Sequence, residues 1–192
     1  MAFLAQISDF DTSSVPLLQR LFLVTDGTLT DLVEAAFLEP VALRKVAVDI
    51  APSHTAIPDL SLDAGANVMT RRILIQGANT GSNYVYAESL LALDRLPETF
   101  RRALLESDAP MGRLWSDHKL ETWKELLHMH RHPAGAHSTH FAIQPSANLL
   151  SRTYRMVSGG RPLMLITEFF PEQYRVSPLA EGARSEAFEG AS

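Results

Sequence analysis

The feature that most constrains the fold of this chain is a run of large apolar residues from 163 to 171, interrupted by one carboxylate. The run reads Leu-Met-Leu-Ile-Thr-Glu-Phe-Phe-Pro, which is typical of a β-strand that ends at Pro171. Side chains alternate between the two faces of a strand, so Glu168 shares an apolar face with Ile166 and Phe170. A carboxylate on an apolar face loses its solvation unless it is paired or protonated. Glu168 is therefore either one half of a structural ion pair or a group with a chemical role.

A second predicted strand, residues 67–76, carries an arginine where an apolar side chain is expected. Arg71 alternates with Ile73 on the apolar face, whereas Arg72 falls on the more polar face. Two explanations are open. Arg71 and Glu168 pair with each other, or they line a pocket for a small anion, in which the arginine grips a carboxylate through two hydrogen bonds.

Length and composition are those of an ordinary globular protein. The chain has 192 residues, of which 46% are hydrophobic and 20% are charged, enough to bury a substantial core. We expect residues 1–174 to form one domain and the polar residues 175–192 to form a disordered tail.

Charge and cysteine content exclude several classes of function. The net charge of -5 gives no support for a nucleic-acid partner. The absence of cysteine excludes disulfides, thiolate metal sites and cysteine nucleophiles, and it fits a reducing compartment. Residues 1–10 lack the basic segment of a signal peptide, and no apolar run reaches transmembrane length. The expectation is a cytoplasmic protein that contacts neither nucleic acid nor membrane.

The order of the predicted elements favours an α+β fold with one antiparallel sheet. The strands pair as hairpins and do not alternate regularly with helices, which argues against a doubly wound parallel sheet. Strands are predicted at residues 41–50, 67–76, 84–90, 149–157 and 162–170, and helices at 16–25, 28–37, 97–107 and 120–130.

Four segments in this order resemble the chorismate pyruvate-lyase family, in its branch of small bacterial homologues. They are the helical segment 21–30, the arginine-led strand 71–75, the Ala-Pro-Met-Gly-Arg turn at 109–113, and the Gly-Gly turn with its closing strand at 158–171. None of these motifs is specific alone, but their order and spacing are compatible with the family over roughly residues 17–172.

The resemblance implies a sheet with helices packed on it and helical flaps over a buried ligand site. It implies that Glu168 and Arg71 are the catalytic and carboxylate-binding residues, that Met111 offers its backbone N–H to the ligand, and that Leu29 forms an apolar wall. The implied activity is the elimination of pyruvate from chorismate to give 4-hydroxybenzoate, a precursor of ubiquinone or of secondary metabolites. It needs a small-molecule substrate and neither metal nor redox cofactor.

Four further charged residues bear on the substrate. Arg72 stands where the family enzyme has an acid, and it remains an alternative to Arg71 as the inward arginine. Glu88 stands where a basic residue is expected, and it would alter the charge near a site for a dianion. Arg152 and Arg155, on the neighbouring strand, could meet a second carboxylate or could be exposed charges on a hairpin.

A group of histidines lies between residues 128 and 140. His-x-His spacing can bind zinc or nickel, but no carboxylate follows Glu125 nearby. We therefore interpret these residues as surface groups and expect no metal site. They are His128, His130, His132, His137 and His140.

Two rival functions remain open at this point. The same fold resembles the effector-binding domain of certain bacterial transcription regulators, so a non-catalytic protein that binds an aromatic acid is one alternative. A lyase that acts on a different chorismate-derived acid is the other. The residues do not indicate an oligomeric state.

Overall fold

The computed structural model describes residues 10–106, 114–115, 117–119 and 121–174. Met111, with the turn at 109–113, and the tail at 175–192 lie outside the described residues, so the expectations placed on them stay predictions.

The described chain is built on one antiparallel sheet, as the sequence predicts, and this sheet has six strands where five were expected. The hairpins β2–β3 and β5–β6 join through β3 and β6 at the centre of the sheet, so the spatial order is β1-β2-β3-β6-β5-β4. The strands are β1 Val41–Pro52, β2 Asn67–Gly77, β3 Asn83–Ala92, β4 Trp123–Pro133, β5 Asn148–Ser158 and β6 Arg161–Pro171.

Three helices cover one face of this sheet, and we call it the helix-covered face. They are α1 Leu17–Val24, α2 Leu29–Phe37 and α3 Glu98–Glu106. Phe22 and Val33 of the first two pack with Phe170 of β6. Phe100 of α3 packs with Met164, which lies six residues before Phe170 on the same face of β6. The apolar stripes of the helices therefore bury the apolar alternation of the central strands, leaving a space between the two helical groups.

The opposite face is covered only in part. The short helix α4, Ser138–Phe141, lies over β3, and a 3₁₀ turn at Pro58–Leu60 lies over β6. None of the helices in the described part of the chain is long and apolar enough to cross a membrane.

The structure corrects one predicted element. Residues 120–130 were expected to form a helix, but β4 occupies Trp123–Pro133 and pairs with β5. Met129 is buried while its neighbours His128 and His130 are exposed, as expected of successive residues on opposite faces of a strand. Pairing to the neighbouring strand has overridden the helical preference of the Lys, Glu, Leu and Met residues in this segment.

Candidate active site

Arg71 and Glu168 lie on the helix-covered face with a single strand between them. In the ladder, Arg71 of β2 pairs with Ser89 of β3, and Ala87 of β3 pairs with Glu168 of β6. Because β3 presents only the small side chains of Ala87 and Ser89 here, the space above it stays open. One cavity is lined by all four residues.

The cavity has a volume of about 270 Å³, close to the lower end of the roughly 300–1,000 Å³ of small-molecule sites. Its walls are mostly apolar, which suits the apolar part of a small organic ligand. The main apolar contributors are Leu29, Leu43, Ile73, Ile75, Met156 and Ile166.

Glu168 is held by two partners from β5. The Nε of Arg152 donates to Oε2 at 2.6 Å, and the hydroxyl of Tyr154 donates to Oε1 at 2.9 Å. Burial raises the pKa of Tyr154 well above that of a free tyrosine, and the charge of Glu168 raises it further. Tyr154 is therefore a neutral hydroxyl that donates to the carboxylate. The ion pair that the sequence left open does exist, but its cation is Arg152.

Lys124 of β4 also lines the cavity. Its Nζ donates to the backbone carbonyls of Thr25 at 3.3 Å and Gly27 at 3.2 Å, and it lies 4.7 Å from the centre of the Tyr154 ring. Burial lowers the pKa of Lys124, and the nearby charge of Arg152 lowers it further. Lys124 was not among the predicted site residues, because a helix was expected in this segment.

The loop between α1 and α2 and the first turn of α2 close one side of the cavity through residues 26–30. Two cationic side chains bind the backbone of this loop. Arg152 Nη1 donates to the carbonyl of Thr25 at 2.8 Å, and Lys124 binds the same carbonyl. Leu29, at the start of α2, is buried and forms part of the wall.

Comparison with known proteins agrees with this architecture. The family model described as "Chorismate pyruvate-lyase Rv2949c-like" matches residues 23–176. The chain belongs to this family. It is 29% identical over 155 residues to a chorismate pyruvate-lyase of Mycobacterium tuberculosis, an alignment that covers 79% of this chain and 78% of that protein. A chorismate pyruvate-lyase of Mycobacterium leprae is 28% identical over 156 residues, with 79% and 72% covered.

Solved structures share the fold at much lower sequence identity. The effector domain of PhnF from Mycobacterium smegmatis has a TM-score of 0.60 at 12% identity, over 77% of this chain and 90% of that domain. Full-length PhnF has a TM-score of 0.61 at 11% identity, over 80% of this chain and 68% of that one. This likeness concerns the fold alone.

The structure brings only some of the expected site residues of this chorismate pyruvate-lyase family member together. Arg72 and Glu88 lie on the opposite face, where Arg72 Nε is 3.3 Å from Glu88 Oε1. Arg155 also lies on that face, paired with Glu125. Along its strand, each of these residues is adjacent to a residue that lines the cavity. Because successive side chains point to opposite faces of a strand, each of them points away from the ligand space. Arg152 lies beneath the cavity wall, bound to Glu168 and to the loop.

The histidines, too, lie away from the cavity. His140 stacks on Tyr86 with ring centres 4.3 Å apart, and His137 stacks on Phe169 at 4.7 Å. Within the part of the chain that the structure describes, no three His, Asp or Glu side chains are placed to hold a metal ion.

Proposed function

We propose that the protein is a chorismate pyruvate-lyase that converts chorismate to 4-hydroxybenzoate and pyruvate without a cofactor. The observation that carries this proposal is that Arg71, only 3% exposed, and Glu168 line the same largely apolar cavity. Family membership and the names of the mycobacterial relatives support it.

The chemistry asks little of a protein beyond binding and proton transfer. Chorismate carries a ring carboxylate, a hydroxyl at C4 and an enolpyruvyl ether at C3. When the C3–O bond breaks and the C4 proton leaves, the ring becomes aromatic, and the released enolpyruvate takes up a proton to become pyruvate. Since aromatisation drives the reaction, the protein has to grip the ring carboxylate, move one proton and exclude water.

The cavity supplies a group for each task. Arg71 grips the ring carboxylate, because a buried guanidinium is the side chain best suited to bind a carboxylate bidentately. Glu168 accepts the C4 proton and returns it to the methylene carbon of the enolpyruvate. Arg152 and Tyr154 act on Glu168 by fixing both carboxylate oxygens.

The residues that line one side of the cavity contribute by positioning the substrate. Leu29 and residues 26–28 line one side of the ligand space, and their contact with the substrate would favour one orientation. Orientation of this kind lowers a barrier by several kcal/mol, within the roughly 7–11 kcal/mol that ideal positioning provides.

Incubation with chorismate, followed by chromatography, tests the proposal. We expect 4-hydroxybenzoate and pyruvate in equal amounts. Formation of 3-hydroxybenzoate, or no product at all, would overturn it.

The adjacent arginines offer a matched pair of variants. Arg71→Ala should weaken binding of 4-hydroxybenzoate by about 2–5 kcal/mol, because the ligand carboxylate is left unpaired in a desolvated site. Arg72→Ala removes a half-exposed side chain on the opposite face and should leave binding close to that of the wild type.

One observation favours a second candidate function. The fold is shared with the effector domain of PhnF, so a protein that binds an aromatic acid without converting it is the alternative. Binding of 4-hydroxybenzoate with no turnover of chorismate would select this alternative. If the protein converts another chorismate-derived acid and not chorismate, it is a lyase with a different substrate.

A further inference from the structure

We infer that Lys124 binds the second carboxylate of a dicarboxylic substrate and so distinguishes the substrate from its monocarboxylic product. The identity of that substrate rests on the proposed function, but the preference for two carboxylates over one does not require turnover.

Lys124 and Arg71 approach the cavity from strands on opposite sides of it. Arg71 is on β2 and Lys124 is on β4, four steps apart in the strand order. Neighbouring strands lie about 4.8 Å apart, so the two strand axes are separated by roughly 19 Å along a flat sheet. Both side chains nevertheless line the same cavity. The two cations therefore reach the ligand space from opposite sides, as an acid with a carboxylate at each end requires.

Arg152, Arg155 and Arg72 do not line the cavity. Arg152 is 1% exposed and is bound to Glu168 and to the carbonyl of Thr25. Arg155 and Arg72 form their ion pairs on the opposite face. Among the described residues, Lys124 is therefore the cation besides Arg71 that is placed to meet a ligand.

The present partners of Lys124 leave capacity for an anion. Its hydrogen bonds go to two neutral carbonyls, those of Thr25 and Gly27, whereas an ammonium group has three donors. No carboxylate in the described part of the chain forms an ion pair with it. The carboxylates of Glu168 and Asp26 act on this half-buried cation through their charge without a direct ion pair, and a ligand carboxylate would supply a direct ionic partner.

The reaction itself removes the group that Lys124 would bind. In chorismate the second carboxylate belongs to the enolpyruvyl side chain, and this side chain leaves as pyruvate. 4-Hydroxybenzoate keeps only the ring carboxylate, which Arg71 grips. Lys124 should therefore contribute to the affinity for the substrate and not to the affinity for the product.

The binding of two stable benzoates measures the contributions of Arg71 and Lys124 separately. 3-(Carboxymethoxy)benzoate has a ring carboxylate and an ether-linked carboxylate in the meta relationship found in chorismate, and 3-methoxybenzoate lacks the second one. Calorimetry with the wild type should show tighter binding of the dicarboxylate. Lys124→Gln keeps amide donors for the Thr25 and Gly27 carbonyls but removes the charge. This variant should bind the dicarboxylate roughly tenfold to a hundredfold more weakly than the wild type, and its affinity for the monocarboxylate should stay within about twofold of the wild-type value.

Two further variants control for structure. Lys124→Arg keeps the charge and should keep the preference for the dicarboxylate, and Lys119→Met removes an exposed lysine and should change neither affinity. Equal weakening of both benzoates by Lys124→Gln would mean that Lys124 only holds the loop, and would overturn the inference. An unchanged preference in Lys124→Gln would overturn it as well.

Failure of this inference can be told apart from failure of the proposed function. If the wild type prefers the dicarboxylate through Lys124 but makes no 4-hydroxybenzoate, the lyase proposal fails and the inference stands. If the wild type converts chorismate and Lys124→Gln leaves its KM unchanged, the inference fails and the lyase proposal stands.

Discussion

Arg152 and Glu168 pair directly across β5 and β6, with Nε of Arg152 2.6 Å from Oε2 of Glu168. The side chains are 1% and 9% exposed, so both charges are almost completely removed from water. The carboxylate that we propose as the acid/base group is therefore also half of a buried ion pair. Its role in stability and its proposed role in catalysis are separable by experiment.

The role in stability is tested by replacing the cation. Arg152→Leu leaves Glu168 buried without its partner, and removing one member of a buried pair costs about 3–5 kcal/mol. Replacing both residues by leucine should recover much of that loss, because a well-packed apolar pair is often as stable as the ion pair. Urea unfolding of both single variants and the double variant measures this. If the stability losses of the two single variants add up to the loss of the double variant, the two residues are not coupled.

The role in catalysis is tested by Glu168→Gln, which keeps the shape and removes the ionisable group. Turnover of chorismate should fall roughly a hundred- to ten-thousand-fold, as is typical of acid/base groups. Affinity for 4-hydroxybenzoate should stay the same or increase, because a negative charge near an anionic ligand is lost. The rate is followed by absorbance of 4-hydroxybenzoate and the affinity by calorimetry. A loss of affinity as large as the loss of rate would instead make Glu168 a binding residue.

Sequence alone could predict the faces of Arg71 and Glu168, since each interrupts an apolar alternation and strand periodicity then assigns its face. It could not identify the partner of Glu168. Counting back from the turn at Gly159 and Gly160, an uninterrupted hairpin would pair Arg152 with Thr167. A register shift between Met156 and Val157 moves Arg152 opposite Glu168 instead. Such a bulge leaves no clear mark in the residues.

Lys124 and Tyr154 were missed for different reasons. A helix was expected around Lys124, although the His-x-His-x-His spacing that ends this segment has the period of a strand. Tyr154 was not considered because a tyrosine on a strand is ordinary, and only its hydrogen bond to Glu168 gives it significance. The propensity of single segments cannot reveal either contact, because both depend on which strand lies alongside.

The floor of the cavity provides a third prediction. Ser89 lies beside Arg71 in the sheet, and its small side chain leaves the ligand space open. Ser89→Leu should fill that space and weaken 4-hydroxybenzoate binding roughly a hundredfold or more through steric exclusion. Ser89→Ala adds no volume and should bind normally. Calorimetry on both variants measures this, and normal binding by a folded Ser89→Leu protein would contradict the placement of the ligand.

A buried carboxylate outside the cavity anchors the hairpin that carries Arg71. Glu39 accepts hydrogen bonds from the backbone N–H groups of Asn79 at 2.9 Å and Thr80 at 3.1 Å, and from the hydroxyls of Thr80 and Tyr84. A side chain at Gly77 would overlap its carboxylate, which explains the glycine there. Burial alone would raise the pKa of Glu39, but the four hydrogen bonds outweigh burial and lower it to about 2.

This low pKa predicts how stability depends on pH. The ordinary value of 4.5 applies to the unfolded chain, and the folded value is about 2, so Glu39 contributes stability above pH 4.5 that is lost as the pH falls towards 2. Glu39→Gln should therefore be less stable than the wild type at neutral pH, with a difference that shrinks between pH 4.5 and 2. Urea unfolding across this range measures the difference, with Glu106→Gln as the exposed control. If the difference in stability stays constant with pH, the charge of Glu39 does not contribute to it and Glu39 acts through its shape alone. The proton uptake that links folding to pH would then come from other carboxylates.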